Sequence, residues 1–357
     1  MPSFRTGKVT ELIEARPGLQ RVLVDLGGRV PERAYVLTQL TGGVEVGDPV
    51  VVNTTAVELG LGTGGWHVVH WNLAREQWSE AGPGHIIKGR YTSLQADVGS
   101  AEERHTELAD VVSIEGMPVV ASSLHSQVPA ITVAIKHVRP DARVAYVMTD
   151  AAALPMALSD LVAALRDRNL LDVTITCGHA FGGDHETVSL HSALAVARHL
   201  EHADVAIVAM GPGIVGTNTR LGFSGIELGV ILDAADGLGG RPVASLRASF
   251  ADPRPRHQGV SHHTLTALTV ATRCRATVAL PSVGGDAERR LRADLTAAGV
   301  DERHDIVAIE QPDALSLFED HALEVTSMGR PAATDPILFA CAAAAGAVAC
   351  SMPKDPR

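Results

Sequence analysis

Two patterns of apolar and polar positions divide the chain near residue 117. Before about residue 75, apolar and polar residues alternate in short runs bounded by glycine-rich turns, which is typical of β-strands. These runs are "RVLVDL", "AYVLTQL", "DPVVVNTT" and "WHVVHWNL". The pattern predicts a small β-barrel or β-sandwich domain over residues 1–78, followed by a connector over residues 79–116.

From Met117 the pattern changes to short, continuously apolar strands that alternate with amphipathic or alanine-rich helices. This order predicts an α/β domain over residues 117–357, with a mostly parallel, doubly wound sheet and right-handed crossovers. The predicted strands are "MPVVASS", "RVAYVMT", "LDVTITC", "DVAIVAM", "RPVASLRAS", "ATVALP" and "DIVAIE". Such sheets bind ligands beyond the carboxyl ends of their strands, so we expect a site in the loops that follow them.

Polar and histidine-bearing segments follow four of the predicted strands. His125 follows the first strand, "CGHAFGGDHE" the third, "GPGIVGTNTRLGFSG" the fourth and "FADPRPRHQGVSHHTLTAL" the fifth. The carboxyl ends of parallel strands lie at one edge of a sheet, and we therefore expect these segments to line a single crevice. The loops before the strands carry ordinary solvated charge.

The side chains of this crevice fit two roles toward an anionic ligand. Arginines, hydroxyls and backbone N–H groups hold anions, and we assign substrate binding to His125, Gly213, Thr217, Thr219, Arg220, Arg254 and Arg256. Histidine is the commonest general acid or base, and we assign acid/base catalysis to His179, His185, His257 and His262. A crevice this rich in cationic groups requires an anion, a metal ion or a carboxylate to balance their charge.

A divalent metal ion is an alternative use of the same histidines. Imidazole and carboxylate form an ordinary ligand set for zinc, manganese or iron, and the candidate ligands are Asp184, His185 and His263. No HxxxH or HxH spacing supports this assignment, so the cofactor is left open. Asp184 and Ser261 are also predicted as helix N-caps, which would place His185 and His262 in the first turns of their helices.

Two further features lack the context that their chemistry needs. The stretch "GPGIVG" over residues 211–216 satisfies the dinucleotide pattern GxGxxG, but the loop continues past its glycines and the next strand ends without an acidic residue. NAD binding is therefore not predicted, and the loop either binds an anion or only turns the chain. Cys177, at the end of a strand, is interpreted as a small buried thiol in preference to a nucleophile.

Composition narrows the classes of partner. Thirty basic against 41 acidic residues give a net charge of -11, so neither nucleic acid nor an anionic membrane surface is expected as a partner. The longest apolar run, residues 337–350, is too short to span a bilayer and is predicted as a buried helix. No secretory signal and no CxxC spacing is present, which predicts a cytoplasmic protein with reduced thiols. The frequency of symmetric oligomers leaves a homodimer open.

Three long motifs together resemble a bacterial family of unknown function, domain of unknown function 3866. The motifs are "GPGHIIKGRYTSLQ", "MGPGIVGTNTRLGFSGIE" and "SFADPRPRHQGVSHHT", and the resemblance covers nearly the whole chain. It implies no activity and no catalytic residue. It does imply that the first motif belongs with the two crevice motifs, which would bring His85, Lys88, Arg90 and Gln95 near the site.

The residues support three hypotheses about function. The first is an enzyme, a hydrolase or group transferase, that acts on a small anionic metabolite through acid/base histidines, with or without a metal ion. The second is a non-catalytic sensor that binds such a metabolite, and the third is a protein-interaction module. An enzyme needs His257 or His262 within hydrogen-bonding reach of a reacting group, whereas a sensor needs only static pairing.

Overall fold

The computed structural model describes residues 1–352. Its contacts divide the chain between Gly99 and Ser100 into two units, and this division falls inside the predicted connector. None of the helices over residues 1–352 combines the length and the apolar character that a membrane span requires.

The first unit is built on a closed five-stranded barrel with strand order β1-β2-β3-β5-β4, which confirms the predicted N-terminal β-domain. All its strand pairs are antiparallel except β3 with β5. Alternate residues such as Val22, Val24, Val50 and Val52 fill its interior, as the period-two pattern requires. The elements of this unit are β1 (Phe4–Arg16), β2 (Leu19–Asp25), β3 (Glu32–Leu37), α1 (Thr38–Thr41), β4 (Pro49–Asn53), α2 (Thr55–Glu58), β5 (His67–Asn72), β6 (Ile87–Lys88) and β7 (Ala96–Asp97).

The second unit contains an eight-stranded parallel sheet with order β11-β10-β9-β12-β8-β13-β16-β17, which confirms the predicted α/β fold. Its strands are β8 (Pro118–Ala121), β9 (Val144–Thr149), β10 (Val173–Thr176), β11 (His185–Glu186), β12 (Val205–Met210), β13 (Arg241–Ala244), β16 (Thr277–Pro281) and β17 (Asp305–Ile309). Two small antiparallel ribbons accompany it, β14 (Ala248–Ser249) with β15 (Gly259–Val260), and β18 (Thr326–Ser327) with β19 (Arg330–Pro331).

Helices cover both faces of this sheet, because its strands are apolar on both sides. The helices of the second unit are α3 (Ala101–Arg104), α4 (Val128–Val138), α5 (Asp160–Asp167), α6 (Leu190–Ala195), α7 (Glu227–Gly237), α8 (His262–Thr266), α9 (Gly285–Ala297), α10 (Val300–Arg303), α11 (Ala314–Asp320) and α12 (Pro336–Ser351). One face packs against α4, α5, α11 and α12, and the other against α6, α7, α9 and the segment that continues α8.

The order of the central strands separates the loops that follow them. The helix after β8, α4, lies on one face, whereas α7, which follows β12, lies on the other. Because β8 sits between β12 and β13, the loops after these three neighbouring strands diverge toward opposite faces. Such a switch point leaves a crevice at the carboxyl ends of the strands, which is where open α/β sheets bind ligands.

Candidate anion site after strand β13

The segment after β13 forms a short ribbon that leads directly into a helix. Strands β14 and β15 pair antiparallel, with Ala248 opposite Val260, and a single 3₁₀ turn over residues 255–257 lies between them. The next helix, α8, begins at His262 because the Ser261 hydroxyl accepts a hydrogen bond from the backbone N–H of His263. The predicted N-cap at Ser261 is confirmed, and two adjacent histidines therefore stand in the first helical turn.

Three histidines meet at this point. The ring centroid of His257 lies 5.1 Å from that of His262 and 5.0 Å from that of His263, and the adjacent pair is 4.3 Å apart. His257 and His263 are buried, and His262 is half-buried. One nitrogen from each ring lies within 4.8 Å of the others. We refer to these three histidines and to Arg247, Arg254 and Arg256 as the arginine–histidine cluster.

Two arginines donate hydrogen bonds to the rings. Arg247 Nη1 donates to His263 Nδ1 at 3.0 Å, and Arg256 Nε donates to His257 Nε2 at 3.3 Å. Each accepting nitrogen must be unprotonated, so the neutral form of His263 carries its proton on Nε2. His262 Nε2 is buried and has no hydrogen-bond partner within residues 1–352.

Arg247 is the most buried arginine of the cluster, at 4% exposure. Its backbone N–H donates to Thr264 Oγ1 at 3.1 Å, and its carbonyl accepts from the N–H of Ser261 at 2.8 Å. These two bonds fix Arg247 to the start of α8. Burial, followed by the neighbouring charge of Arg254, lowers the pKa of Arg247 to about 10, which leaves the guanidinium cationic at neutral pH.

Two carboxylates only partly balance the guanidinium groups. Arg254 donates to both carboxylate oxygens of Asp252, at 2.9 and 2.7 Å, and these hydrogen bonds hold the pKa of Asp252 well below its usual range. Arg330 lies 3.8 Å from Asp252 and 3.4 Å from Asp335. With Arg247 and Arg256 included, four guanidinium groups stand against the carboxylates of Asp252 and Asp335.

This excess of positive charge acts on the histidines. Burial, followed by the charge of Arg247, lowers the pKa of both His257 and His263 to about 3. Burial and then Arg256 lower the pKa of His262 as well. All three imidazoles are therefore neutral at pH 7, because adding a proton would place another positive charge among arginines.

The cluster suits an anion better than a bare metal ion. Neutral imidazoles can ligate a metal, but a ligating histidine ordinarily donates its other N–H to a carboxylate or a carbonyl. Here Arg247 donates to His263 and Arg256 donates to His257, which is the reverse arrangement. A divalent cation would also add charge to a group of arginines, whereas guanidinium forks match the oxygens of carboxylates and phosphates.

The glycine-rich loop after β12 contacts the cluster at its two ends. The ring of Phe223 stacks on His263 with centroids 3.9 Å apart and planes 1° apart, and Gly216 lies next to His263 Nε2. The predicted ligand residues of this loop are exposed, namely Gly213, Thr217, Thr219 and Arg220. The hydroxyls of Thr217 and Thr219 lie 3.0 Å apart, and Thr219 Oγ1 accepts from the Gly222 N–H at 3.0 Å, so they brace the loop itself.

Within residues 1–352 the ring of His125 hydrogen-bonds to no residue of the cluster and belongs to a separate buried network. Its Nε2 is 2.6 Å from Ser159 Oγ, and its Nδ1 is 3.1 Å from Tyr146 Oη. Burial lowers the pKa of His125 to about 4. These bonds join the start of α4 to the segment before α5, which is a structural use of the residue.

The structure does not bring His179, Asp184 and His185 to the cluster. These residues belong to β11 and to the loop between β10 and β11, and four inter-strand steps of about 4.8 Å, about 19 Å in all, separate β10 from β13. Asp184 Oδ2 accepts from the backbone N–H of Thr174 at 2.8 Å, and His185 Nε2 lies 2.6 Å from Glu201 Oε1. The metal ligand set Asp184, His185 and His263 is accordingly not assembled.

The expected helix start at Asp184 is wrong. His185 and Glu186 form strand β11, and the helix begins at Leu190 with Ser189 as its N-cap. The reason is that Asp184 accepts hydrogen bonds from both the N–H and the hydroxyl of Thr174, which ties it to the edge of the sheet.

Five further residues singled out in the sequence are Cys177 and four residues of a family motif. Cys177 is buried, with Sγ 3.7 Å from the carbonyl of Met148, as expected for a core thiol. The residues that the family resemblance associates with the crevice, His85, Lys88, Arg90 and Gln95, belong to the first unit, where Lys88 is buried.

Sequence reasoning missed four residues near the cluster and one carboxyl. Arg247 was hidden inside a predicted strand, although a charge in an apolar run is itself a signal. Met328, Arg330 and Asp335 come from a distant ribbon and a helix start, and no local pattern marks them. Glu227 begins α7 and accepts from Thr149 Oγ1 at 2.7 Å, and burial raises its pKa to about 7.

Comparison with known proteins identifies the family of the chain but no activity. The model of a family described as "Protein of unknown function (DUF3866)" matches residues 33–346. No curated protein matches the chain. Among solved structures, YjeQ from Thermotoga maritima is similar over 76% of this chain and 68% of its own, with 11% sequence identity and a TM-score of 0.15. Values this low carry no argument about function.

Proposed function

The chain belongs to the DUF3866 family, whose function is unknown, and we propose that it is an enzyme acting on a small anionic metabolite, a hydrolase or group transferase. The ligand would bind at the arginine–histidine cluster with a phosphate or carboxylate group. The observation that carries the proposal is the set of three neutral histidines among guanidinium groups that two carboxylates only partly balance, in which His262 Nε2 is buried with no hydrogen-bond partner in residues 1–352.

An anion would complete the hydrogen bonding of the cluster. Arg247 fixes the neutral tautomer of His263, which leaves Nε2–H as a donor beside Gly216. His262 Nε2 can accept from, or once protonated donate to, the same ligand. The anion would also offset the guanidinium charge and so raise the pKa of the histidines toward the range in which imidazole transfers protons.

The protonation state of the histidines in the free protein determines whether they first accept or donate a proton. Because the histidines are neutral at pH 7, His262 would first act as a general base toward water or a hydroxyl nucleophile, since its Nε2 has no partner within residues 1–352 whereas His257 Nε2 accepts from Arg256. The proton gained in that step could then be given to the leaving group. A non-catalytic sensor would use the same contacts but would show binding without turnover.

Calorimetric titration with inorganic phosphate at pH 7 tests the site. We expect the wild-type protein to bind phosphate with uptake of protons, and Arg256→Ala to weaken binding about 10- to 100-fold, as for loss of a charged hydrogen bond. Arg292→Ala is the matched control, since Arg292 is an exposed arginine on α9 paired only with Glu288 in the described structure. Release of p-nitrophenol from p-nitrophenyl phosphate would report turnover.

Three results would contradict the proposal. Phosphate could fail to bind at millimolar concentration, or Arg256→Ala could bind it as tightly as wild type does. A zinc titration that gives tight, stoichiometric binding unaffected by phosphate would assign the histidines to a metal ion instead.

A further inference from the structure

An apolar cavity of about 410 Å³ lies at the carboxyl ends of β16 and β17. This volume falls within the range of about 300–1,000 Å³ that is usual for ligand pockets. Its walls include Phe250, Val283, Ala287, Ile337 and Ala340. Phe250 and Val283 are exposed at 42% and 38%, so large apolar side chains border an open space here.

The cavity adjoins the arginine–histidine cluster through two short segments. Phe250 stands between Ser249 and Asp252, the carboxylate that holds Arg254. Pro336 lines the cavity and directly follows Asp335, which accepts a hydrogen bond from Ser249 Oγ at 2.6 Å. The same two segments therefore form a wall of the cavity and support the charged cluster.

One polar atom of the cavity wall lacks a partner. Gln311 Oε1 is buried and has no hydrogen-bond partner among residues 1–352. A buried polar group without a partner is uncommon in folded proteins, and a bound group that carries a donor would satisfy it. The surrounding wall is otherwise mainly apolar, including Ala287 and Ile337.

We propose that this cavity holds the apolar part of the anionic ligand, so that the substrate class is amphipathic anions. The phosphate or carboxylate group lies at the arginine–histidine cluster, and an aliphatic or aromatic body extends past Phe250 toward Ala340. The inference rests on the proposed function, because the cluster fixes the charged end. It adds that affinity comes from apolar contact as well as from charge.

Calorimetric titration of the full chain with n-alkyl phosphates and n-alkyl carboxylates tests the inference. We expect affinity to rise about fourfold for each methylene buried, from methyl to about hexyl, and then to level off when the cavity is filled. Inorganic phosphate measures the charged end alone. The two series distinguish a phosphate from a carboxylate as the preferred head group.

Two variants fill the cavity from two different helices, at positions outside the cluster. Ala340→Phe on α12 and Ala287→Leu on α9 both replace partly exposed alanines that line it. We expect each variant to keep the wild-type affinity for inorganic phosphate and to lose the gain with chain length. Arg256→Ala should weaken binding of every member of both series.

The outcomes separate the two proposals. The inference is overturned if phosphate binds but affinity does not rise along either series, or if both variants keep the rise in affinity. Either result leaves the proposed anion site intact. Absence of binding by phosphate and by every alkyl anion overturns both. A dimer of the chain that Ala340→Phe dissociates, with no effect on the ligand series, would assign the cavity to a second copy and also overturn the inference.

Discussion

At the scale of single residues, the buried pair Arg247 and His263 shows how the site is held in one protonation state and orientation. The backbone of Arg247 is held by bonds to Ser261 and Thr264, and its buried guanidinium donates to His263 Nδ1. The hydrogen bond fixes the tautomer of His263, and the charge of Arg247 contributes to keeping the ring neutral. The Phe223 ring fixes the plane of His263 from the other side. The site is thus organised before a ligand arrives, which reduces the entropy that binding must overcome.

Glu227 allows a test at a single residue. Burial raises its pKa from 4.5 to about 7, so between these pH values the folded state holds a proton that the unfolded state releases. The free energy of unfolding should therefore fall as pH rises through this window, by an amount on the order of 3 kcal/mol for the full shift. Glu227→Gln keeps an acceptor for Thr149 and removes the charge.

We expect Glu227→Gln to match the wild type at pH 4.5 and to be more stable at pH 8, as measured by urea unfolding. Glu319→Gln, an exposed position on α11, is the control and should show no such difference. Equal stability of Glu227→Gln and wild type at both pH values would show that the carboxyl is not desolvated.

At the scale of elements, α12 is apolar on every side because it lies within the core of one face of the sheet. The prediction of a buried helix over residues 337–350 is confirmed. It packs closely on α4 at Gly346, where a Cβ atom would stand 2.5 Å from the carbonyl oxygen of Ile131. No real side chain fits at that distance without movement of one helix.

Two helical glycines provide a matched pair of substitutions. Gly346→Ala should destabilise the protein by about 1–3 kcal/mol, as expected for overpacking of a core. Gly237→Ala, at the end of α7, meets no atom within 4 Å and should stabilise slightly, by about 0.4–1 kcal/mol, through the unfolded state. Thermal unfolding of both variants measures the difference. A Gly346→Ala protein as stable as Gly237→Ala would contradict the close packing of α12 on α4.

For the whole molecule, the sequence predicts the classes of structure but not the order of strands. Period-two runs and the alternation of strand and helix were sufficient to predict a β-barrel or β-sandwich and a parallel sheet, and the structure shows that the first is a closed barrel. Ligands bind at the carboxyl ends of parallel strands, and this rule places all loops that follow strands at the same edge of the sheet. It does not say which of these loops are neighbours. Here β12 inserts between β9 and β8, which separates His179 from His257 by most of the sheet.

The same limit explains which site residues were found. His257, His262 and His263 are close in sequence, so a cap at Ser261 and one turn of helix bring them together locally. Arg330 reaches Asp252, and Asp335 reaches Ser249, only through tertiary packing, and no periodicity or motif records such contacts. The prediction that His185 lies in the first turn of a helix was wrong, because Asp184 contacts to Thr174 stabilise the short edge strand β11. These contacts override the local preference for a helix start.

Burial and the surrounding guanidinium groups together keep the histidines of the cluster neutral, and an anion is expected to bind among them. Histidine titration by ¹H–¹⁵N NMR, with and without saturating inorganic phosphate, measures this directly. We expect the rings of His257 and His263 to remain neutral down to about pH 4 in the free protein, and their pKa to rise by about one unit or more with phosphate. Titration near pH 6.5 in the free protein, or no change in pKa when phosphate is added, would contradict the account.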